Sequence, residues 1–501
     1  MGLFDKIKNK LDSGNDGGSP AGNYAFPPAQ APPPLEASLA RYRRQRGINL
    51  GSWFVTESWL STKLYASTAV DPKGSDFDLA RGKDAKAAME HHWDTWMTDD
   101  DWHWIKQRGF NSVRLPIGYY HLAGVLPDVL RGTDYERYAD VYTGAWPRIL
   151  GAIDKAAQFG LGVLVDFHAA AGAQNTDGHS GMSEGKVRFW DSNKNLASTS
   201  LALRFLASQL SPNPAVIGLE ILNEPANNQR LQGWYESTLN EVRQVAEPEF
   251  PIYVSDSWAT DHYAPWVGHR NDFVVLDHHL YRCFDGPDKQ LNGYQHAGKL
   301  QHEFASTFLG QVGQARGNVV VGEWSAGLDE SCLPHDTPAG ERDAQKRAFV
   351  ASQLQLFENT GGYFFWTLKT DRDWDSGWSA RNCGQAEILP ATVVLKKFNP
   401  PPDGARDTMC RQATDSHCNY WRQNNGNPNG HAFSSGFSRG WDDALLFLTS
   451  EGQNELGFVD QWARRRKWEY EHYSGPLGNE GWQYTDAFNQ GVKACHSQAL
   501  S

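Results

Sequence analysis

The amino-acid sequence predicts an α/β protein, a (β/α)8 TIM barrel with a helical C-terminal extension and a disordered N-terminal tail. Three observations predict it. Eight short apolar runs recur between residues 47 and 369, separated by segments of helical periodicity, which is the pattern of βα units around a parallel sheet. No run is followed by GxGxxG or GxxxxGK[ST], the glycine patterns of a nucleotide site on an open sheet. Polar residues collect at the C-terminal ends of the runs, which in a barrel is the catalytic face.

Residues 14 to 37 (GNDGGSPAGNYAFPPAQAPPPLEA) are rich in Gly, Pro and Ala without apolar periodicity, so residues 1–37 read as a disordered tail and linker. Folding is expected to start near residue 41. The strand candidates follow in order: GINLG (47–51), SVRLPI (112–117), GVLVDFH (162–168), VIGLEILNE (216–224), PIYVSDSW (251–258), DFVVLDHHLY (272–281), NVVVGEWS (318–325) and GGYFFWTLK (361–369). They place the barrel in residues 41–400. The remaining chain, 401–501, reads as helices packed on the barrel, its closing helix included. Within it HAFSSGFSRGW (431–441) and WQYTDAFNQGV (482–492) share aromatic-x-x-small-Phe-x-x-Gly, an internal echo of two similar amphipathic helices. Arg464, Arg465, Arg466 and Lys467 between them read as a solvated face.

Composition narrows the function. Net charge is 47 − 59 = −12, which argues against a phosphate-tracking surface, so no nucleic-acid partner is expected. The 20 Trp, 18 Tyr and 24 Phe fit sugar ligands, whose apolar faces stack on aromatic rings, and equally fit a large core. Six Cys without a CxxC pair or a Cys/His group at zinc-ligand spacing predict no metal, and no cofactor motif is present. The N-terminus lacks an apolar signal core, and no run of 18 apolar residues or Asn-x-Ser/Thr sequon exists, so a cytoplasmic protein is expected. Phe4, Ile7 and Leu11 at helical spacing beside Lys6, Lys8 and Lys10 allow a weak membrane-surface contact through residues 1–12.

Two carboxyl groups facing each other across a scissile bond, one protonated and one ionised, are what glycoside hydrolysis needs. Glu224 in LNEP, where strand 4 breaks at Pro225, and Glu323 in VGEWS, at the end of strand 7, meet that need from opposite sides of an eight-stranded mouth. Around them Arg114, His168, Asn223, His279, Tyr281 and Trp366 also fall at strand ends. Strand alternation puts Asp277, His279 and Tyr281 on one face of DHHLY and turns His278 toward the helices.

The motifs RGINLGSWFV, NSVRLPIGYYHL, VDFHAAAGAQN, EILNEP, DHHLY, VGEWS and FFWTLK, spread over residues 46 to 370, resemble glycoside hydrolase family 5 and within it the fungal exo-β-1,3-glucanase-like branch. The resemblance implies a retaining β-glucan hydrolase with Glu224 as acid/base and Glu323 as nucleophile. It also implies that Asn223 bonds the sugar 2-hydroxyl, that Arg114 and Tyr281 hold Glu323 charged and oriented, and that His168 and Glu57 bind sugar hydroxyls. Trp366 becomes the platform under the reacting ring. The negative charge of Glu323 is expected to raise the pKa of Glu224 and keep it protonated. One departure stands out: Phe284 matches one half of an aromatic clamp for the next sugar, but Asp177 occupies the place of the other half.

The expected activity is therefore that of a glucan 1,3-β-glucosidase on a β-glucan or β-glucoside. A β-1,6-glucanase, or a β-glucosidase on small or lipid-linked glucosides, is the alternative. The non-enzyme reading is a carbohydrate-binding protein on an inactive barrel.

Overall fold

The computed structural model describes residues 35–334, 336–450 and 454–501. Residues 1–34, with most of the tail and the membrane contact read at 1–12, lie outside the described residues. Eight parallel strands, β1 (Gln45–Asn49), β2 (Ser112–Gly118), β3 (Gly162–Ala169), β4 (Val216–Glu220), β5 (Ile252–Ser255), β6 (Val274–Leu280), β7 (Val319–Trp324) and β8 (Gly362–Phe365), close into a barrel in chain order. Every strand residue is buried, which is why the strands read as near-continuous apolar runs. Several strands end before the sequence runs do, so Asn223, Glu224, Tyr281 and Trp366 stand just beyond strand ends.

A helix α1 (Leu35–Tyr42) precedes the barrel, and α2 (Asp99–Gln107), α3 (Ala145–Gln158), α4 (Asn193–Leu210), α5 (Leu231–Arg243), α6 (Thr260–His269), α7 (Glu303–Gln314) and α8 (Ala339–Phe357) connect its strands. Sequence sets their limits locally: Thr98 caps α2 and trades bonds with Asp101 in a capping box, and α3 buries Trp146, Ile149, Ile153 and Ala156 at helical spacing. The barrel interior is layered. On β3 the residues Leu164, Asp166 and His168 share one face, and on β6 Val275, Asp277 and His279 do the same, so both strands run apolar, then acidic, then imidazole toward the mouth.

That apolar lower layer continues into the extension, α9 (Ala405–Gln423), α10 (Gly430–Thr449), α11 (Val459–Ser474) and α12 (Gly481–Ala499). Leu164, Tyr253, Val275, Val320 and Phe364 form one cluster with Tyr42, Phe458 and Trp462, so the extension closes the end of the barrel opposite the mouth. The two echoing segments lie against each other. A Cβ on Gly440 would stand 2.1 Å from the Phe488 carbonyl oxygen, and one on Gly491 would stand 2.1 Å from that of Phe437. The shared Phe-x-x-Gly is thus a reciprocal lock in which each glycine admits the other helix's backbone.

Two expectations need correction. Helix α1 begins at Leu35, inside the stretch read as linker: Arg41 is buried and bonds the carbonyls of Ser211 (2.6 Å) and Val216 (3.3 Å), which anchors α1 under the barrel. The basic run is not a solvated face. Arg465 is buried and pairs with Glu249 at 2.8 Å, Arg466 takes Asp443 at 2.7 Å, and Arg464 donates to the Arg270 carbonyl at 2.9 Å. Their partners come from distant parts of the chain, which local sequence does not display.

Candidate active site

Arg114, rising from β2 into the barrel, organises the site. Its Nη1 lies 2.9 Å from Glu323 Oε1 and 3.0 Å from Asn49 Oδ1, its Nη2 donates to Asn223 Oδ1 at 2.7 Å, and its Nε donates to Glu220 Oε2 at 2.9 Å. Asp166 stands 3.2 Å away. A buried guanidinium needs such partners. Burial and the neighbouring Asp166 and Asp277 charges push the Glu220 carboxyl well above its ordinary range despite Arg114. Arg114 is in turn held charged by Asp166, Glu220, Glu323 and Asp277 together. Tyr281, its phenol raised by burial and by the charge of Glu323, donates to Glu323 Oε2 at 2.7 Å. Both oxygens of Glu323 are thus oriented by donors.

Glu224 takes φ 43°, a left-handed conformation that side chains rarely adopt. Bonds on either side hold it: Asn223 N–H donates to the Phe167 carbonyl (3.2 Å), Asn175 Nδ2 to the Glu224 carbonyl (2.9 Å) and Ser257 Oγ to the Pro225 carbonyl (2.5 Å). The turn sends the carboxylate to His279 Nδ1, 2.6 Å from Oε1. The same nitrogen lies 3.5 Å from Glu323 Oε2, and Nε2 lies 3.5 Å from Asp277. One carboxylate oxygen of Glu224 and one of Glu323 fall within 4.8 Å of each other.

The shift on the Glu224 carboxyl runs opposite to the sequence reading. Burial alone would raise the Glu224 carboxyl, but the bond from His279 and the positive charges of His279 and His179 bring it down to about 2. Burial alone would lower His279, but the Glu323 and Asp277 charges and the Glu224 bond hold it well above its ordinary value. His279 and Glu224 therefore form a hydrogen-bonded pair in which each favours charge on the other. The expectation of a protonated Glu224 counted the charge of Glu323 and missed the two histidines.

A cavity of about 1390 Å³ opens over these groups, lined by Glu57, Glu224, His279, Tyr281, Phe284, Glu323 and Trp366 among others. Burial pushes the Glu57 carboxyl up to about 7, and its Oε2 accepts from Trp59 Nε1 at 2.8 Å. Arg114, His168 and Asn223 stand directly behind lining residues, Arg114 on Glu323, His168 against Trp366 and Asn223 next to Glu224. The Asn223 Nδ2 and His168 Nε2 atoms are buried without protein partners, while His168 Nδ1 bonds Asp166 at 2.6 Å and its ring lies parallel to that of Trp366, 5.7 Å away. His278 turns outward to Asp256 (2.6 Å) and the Phe308 ring, as alternation requires.

Phe284 is two-thirds exposed, and its ring neighbours Tyr281 (5.7 Å) and Trp378 (6.2 Å). Trp378, Trp258 and Trp374 also line the cavity, the last two largely exposed. Sequence reasoning missed Trp378, which stands in an aperiodic loop after β8. It also missed His179, whose only signal was its place in QNTDGHSG beside the Asp177 that was weighed.

Two family models match the barrel and the extension in turn. Residues 70–371 match the profile of Cellulase (glycosyl hydrolase family 5), and residues 403–499 match that of the Glucan 1,3-beta-glucosidase 3 C-terminal domain. A glucan 1,3-beta-glucosidase 3 of Schizosaccharomyces pombe is 31% identical, covering 89% of this chain and 94% of the relative. An uncharacterized glycosyl hydrolase of Saccharomyces cerevisiae is 26% identical over 91% of each chain. A probable glucan 1,3-beta-glucosidase A of Neosartorya fischeri is 29% identical over 70% of this chain and 89% of its own. Among solved structures, the rutinosidase from Aspergillus niger shares the fold, with a TM-score of 0.53, 16% identity and coverage of 70% of this chain and 99% of that one. The protein is a glycoside hydrolase. The chain belongs to glycoside hydrolase family 5, with a glucosidase-3-type C-terminal domain appended to its barrel.

Proposed function

We propose that the protein releases glucose from β-1,3-glucan with retention of configuration, Glu323 acting as nucleophile and Glu224 as acid/base. The separation of the two carboxylates carries the reading. Retaining pairs stand about 5 to 5.5 Å apart, whereas inverting pairs stand about 6.5 to 9.5 Å apart to admit a water. Oxygens within 4.8 Å fit the first class.

In the first step a Glu323 oxygen bonds the anomeric carbon while the glycosidic C–O bond breaks and Glu224 gives its proton to the departing oxygen. That proton is already in the site, on His279. When a sugar displaces water, the charge-separated pair becomes costlier and the proton crosses the 2.6 Å to Glu224. In the second step water attacks the anomeric carbon, Glu224 takes its proton, and Glu323 departs. Asn223, held through its oxygen by Arg114, offers its free Nδ2 to the 2-hydroxyl, and Trp366 gives the ring a flat wall.

The relatives named as glucan 1,3-beta-glucosidases support a β-1,3 linkage, and the exposed aromatics of the cavity fit a glucan chain. Six buried cysteines, all free thiols, support a reducing compartment and so the cytoplasmic placing. Product analysis on laminarin and pustulan tests the linkage. Glucose from laminarin alone is expected; preferred cleavage of pustulan, or of aryl glucosides with neither polymer touched, replaces the reading.

A further inference from the structure

Glu224 meets an imidazole at each of its oxygens. His279 takes Oε1, and His179 Nε2 lies 3.4 Å from Oε2. The loop after β3 holds His179 firmly. Asn175 Oδ1 accepts from the Asp177 N–H at 2.9 Å while its Nδ2 donates to the Glu224 carbonyl at 2.9 Å, so both ends of that amide are fixed by backbone. The same Nδ2 stands 3.0 Å from His179 Nε2. One ring nitrogen therefore faces both an N–H donor and a carboxylate. A neutral ring accepts from Asn175, and a protonated ring pairs with Glu224.

We propose that His179 is a positioning residue that gates the acid/base carboxyl: protonated, it pairs with Glu224 Oε2 and withholds it from the leaving group; neutral, it turns to Asn175 and frees it. This rests on Glu224 being the acid/base.

The surroundings act in the required direction. Burial opposes charge on His179, but Glu224, Glu57 from the loop after β1, Glu323 on β7 and Asp177 in its own loop raise it above the ordinary histidine range. Facing Glu224 are the imidazoles of His279 on β6, of His179 in the loop after β3 and of His168 on β3. The His168 ring sits 5.1 Å from that of His179 and is itself lowered by burial. His179, with 16% of its side chain exposed against 3% for His279, is thus the more open of the two imidazoles on Glu224, and its charge is favoured by the carboxylates around it.

The test is the acid limb of kcat/KM on a β-glucoside with a poor leaving group. In His179→Asn and His179→Gln the limb should move to lower pH by about one unit, so that one unit below the wild-type midpoint each retains about fivefold more of its own plateau. With an activated aryl leaving group, which needs no proton, variants and wild type should share one limb. Limbs that coincide on the poor substrate, or an equal loss at all pH, overturn the gate. A readout independent of turnover is the NMR titration of His179: in Glu224→Gln its midpoint should fall, and an unchanged midpoint refutes the pairing. Wild type inert on every β-glucoside would instead remove the acid/base reading.

Discussion

Glu224 and Glu323 hold carboxylate oxygens within 4.8 Å of each other, although they leave strands on opposite sides of the barrel. Water does not fit between such groups as a nucleophile, so the first-formed sugar should be the β-anomer. Proton NMR of the first minutes of hydrolysis checks this, and an initial α-anomer would falsify it. Glu323→Gln, which keeps shape and removes the nucleophile, should lower kcat by at least about 10³.

Glu224→Ala separates the two steps. Cleavage of poor leaving groups should slow by about 10² to 10⁴, the usual worth of a positioned acid. Activated aryl glucosides should still form the glycosyl-enzyme, and azide should speed its release as a glucosyl azide. Equal losses on all substrates without azide rescue would assign the role elsewhere.

His279 supplies the proton in this scheme, so His279→Asn should lose activity on poor leaving groups while tolerating activated ones better. With the imidazolium gone, the Glu224 carboxyl loses the chief influence holding it at about 2, and its titration should move up toward the ordinary glutamate range. Titration of Glu224 by carbon-13 NMR reads the shift directly, and a midpoint that stays near 2 contradicts it.

The apolar runs and the acids at their ends made the barrel and Glu224, Glu323, Arg114 and Tyr281 legible, because strand period and mouth position are local properties of sequence. His179 and Trp378 were not legible, since aperiodic loops carry no such signal. The direction of the Glu224 shift was not legible for a related reason: it depends on imidazoles 45 and 55 residues away in chain, at His179 and His279. The Phe-x-x-Gly echo showed that two helices were alike, but not that they met each other rather than the barrel. The Arg464–Lys467 run looked solvated because Glu249 and Asp443 come to it only through the fold.

Trp462 seals the extension to the barrel. It is fully buried, its ring lies 4.6 Å from Tyr42, Arg465 and Arg466 stand over it, and its Nε1 donates to Asp443 at 2.8 Å. Trp462→Ala should cost about 3 to 5 kcal/mol, and removing residues 401–501 should leave the barrel end exposed and the protein insoluble. Barrel and extension should melt in one calorimetric transition; two well-separated transitions would show that they fold independently.

The same joint should make the protein sensitive to acid. Arg46, buried on β1, binds Glu358 at 2.8 and 2.7 Å and Glu455 at 2.5 Å, and Arg44 reaches Glu455 at 2.5 Å. Burial alone would raise both carboxyls. For Glu358 the Arg46 bonds and charge, and for Glu455 the charges of Arg44, Arg46 and Lys396, outweigh it and hold each below the ordinary value of 4.5. Folded values below the unfolded value mean that the stabilisation is fully present above about pH 4.5 and is lost as pH falls through the folded values. The Tm should therefore hold from neutrality to about pH 5 and drop steeply below it. Glu455→Gln should lower Tm at neutral pH, by an amount matching about 3 to 5 kcal/mol for a buried cation left short of a partner, and should flatten the acid drop. A variant whose Tm runs parallel to wild type at every pH would show that this network is not the acid-labile element.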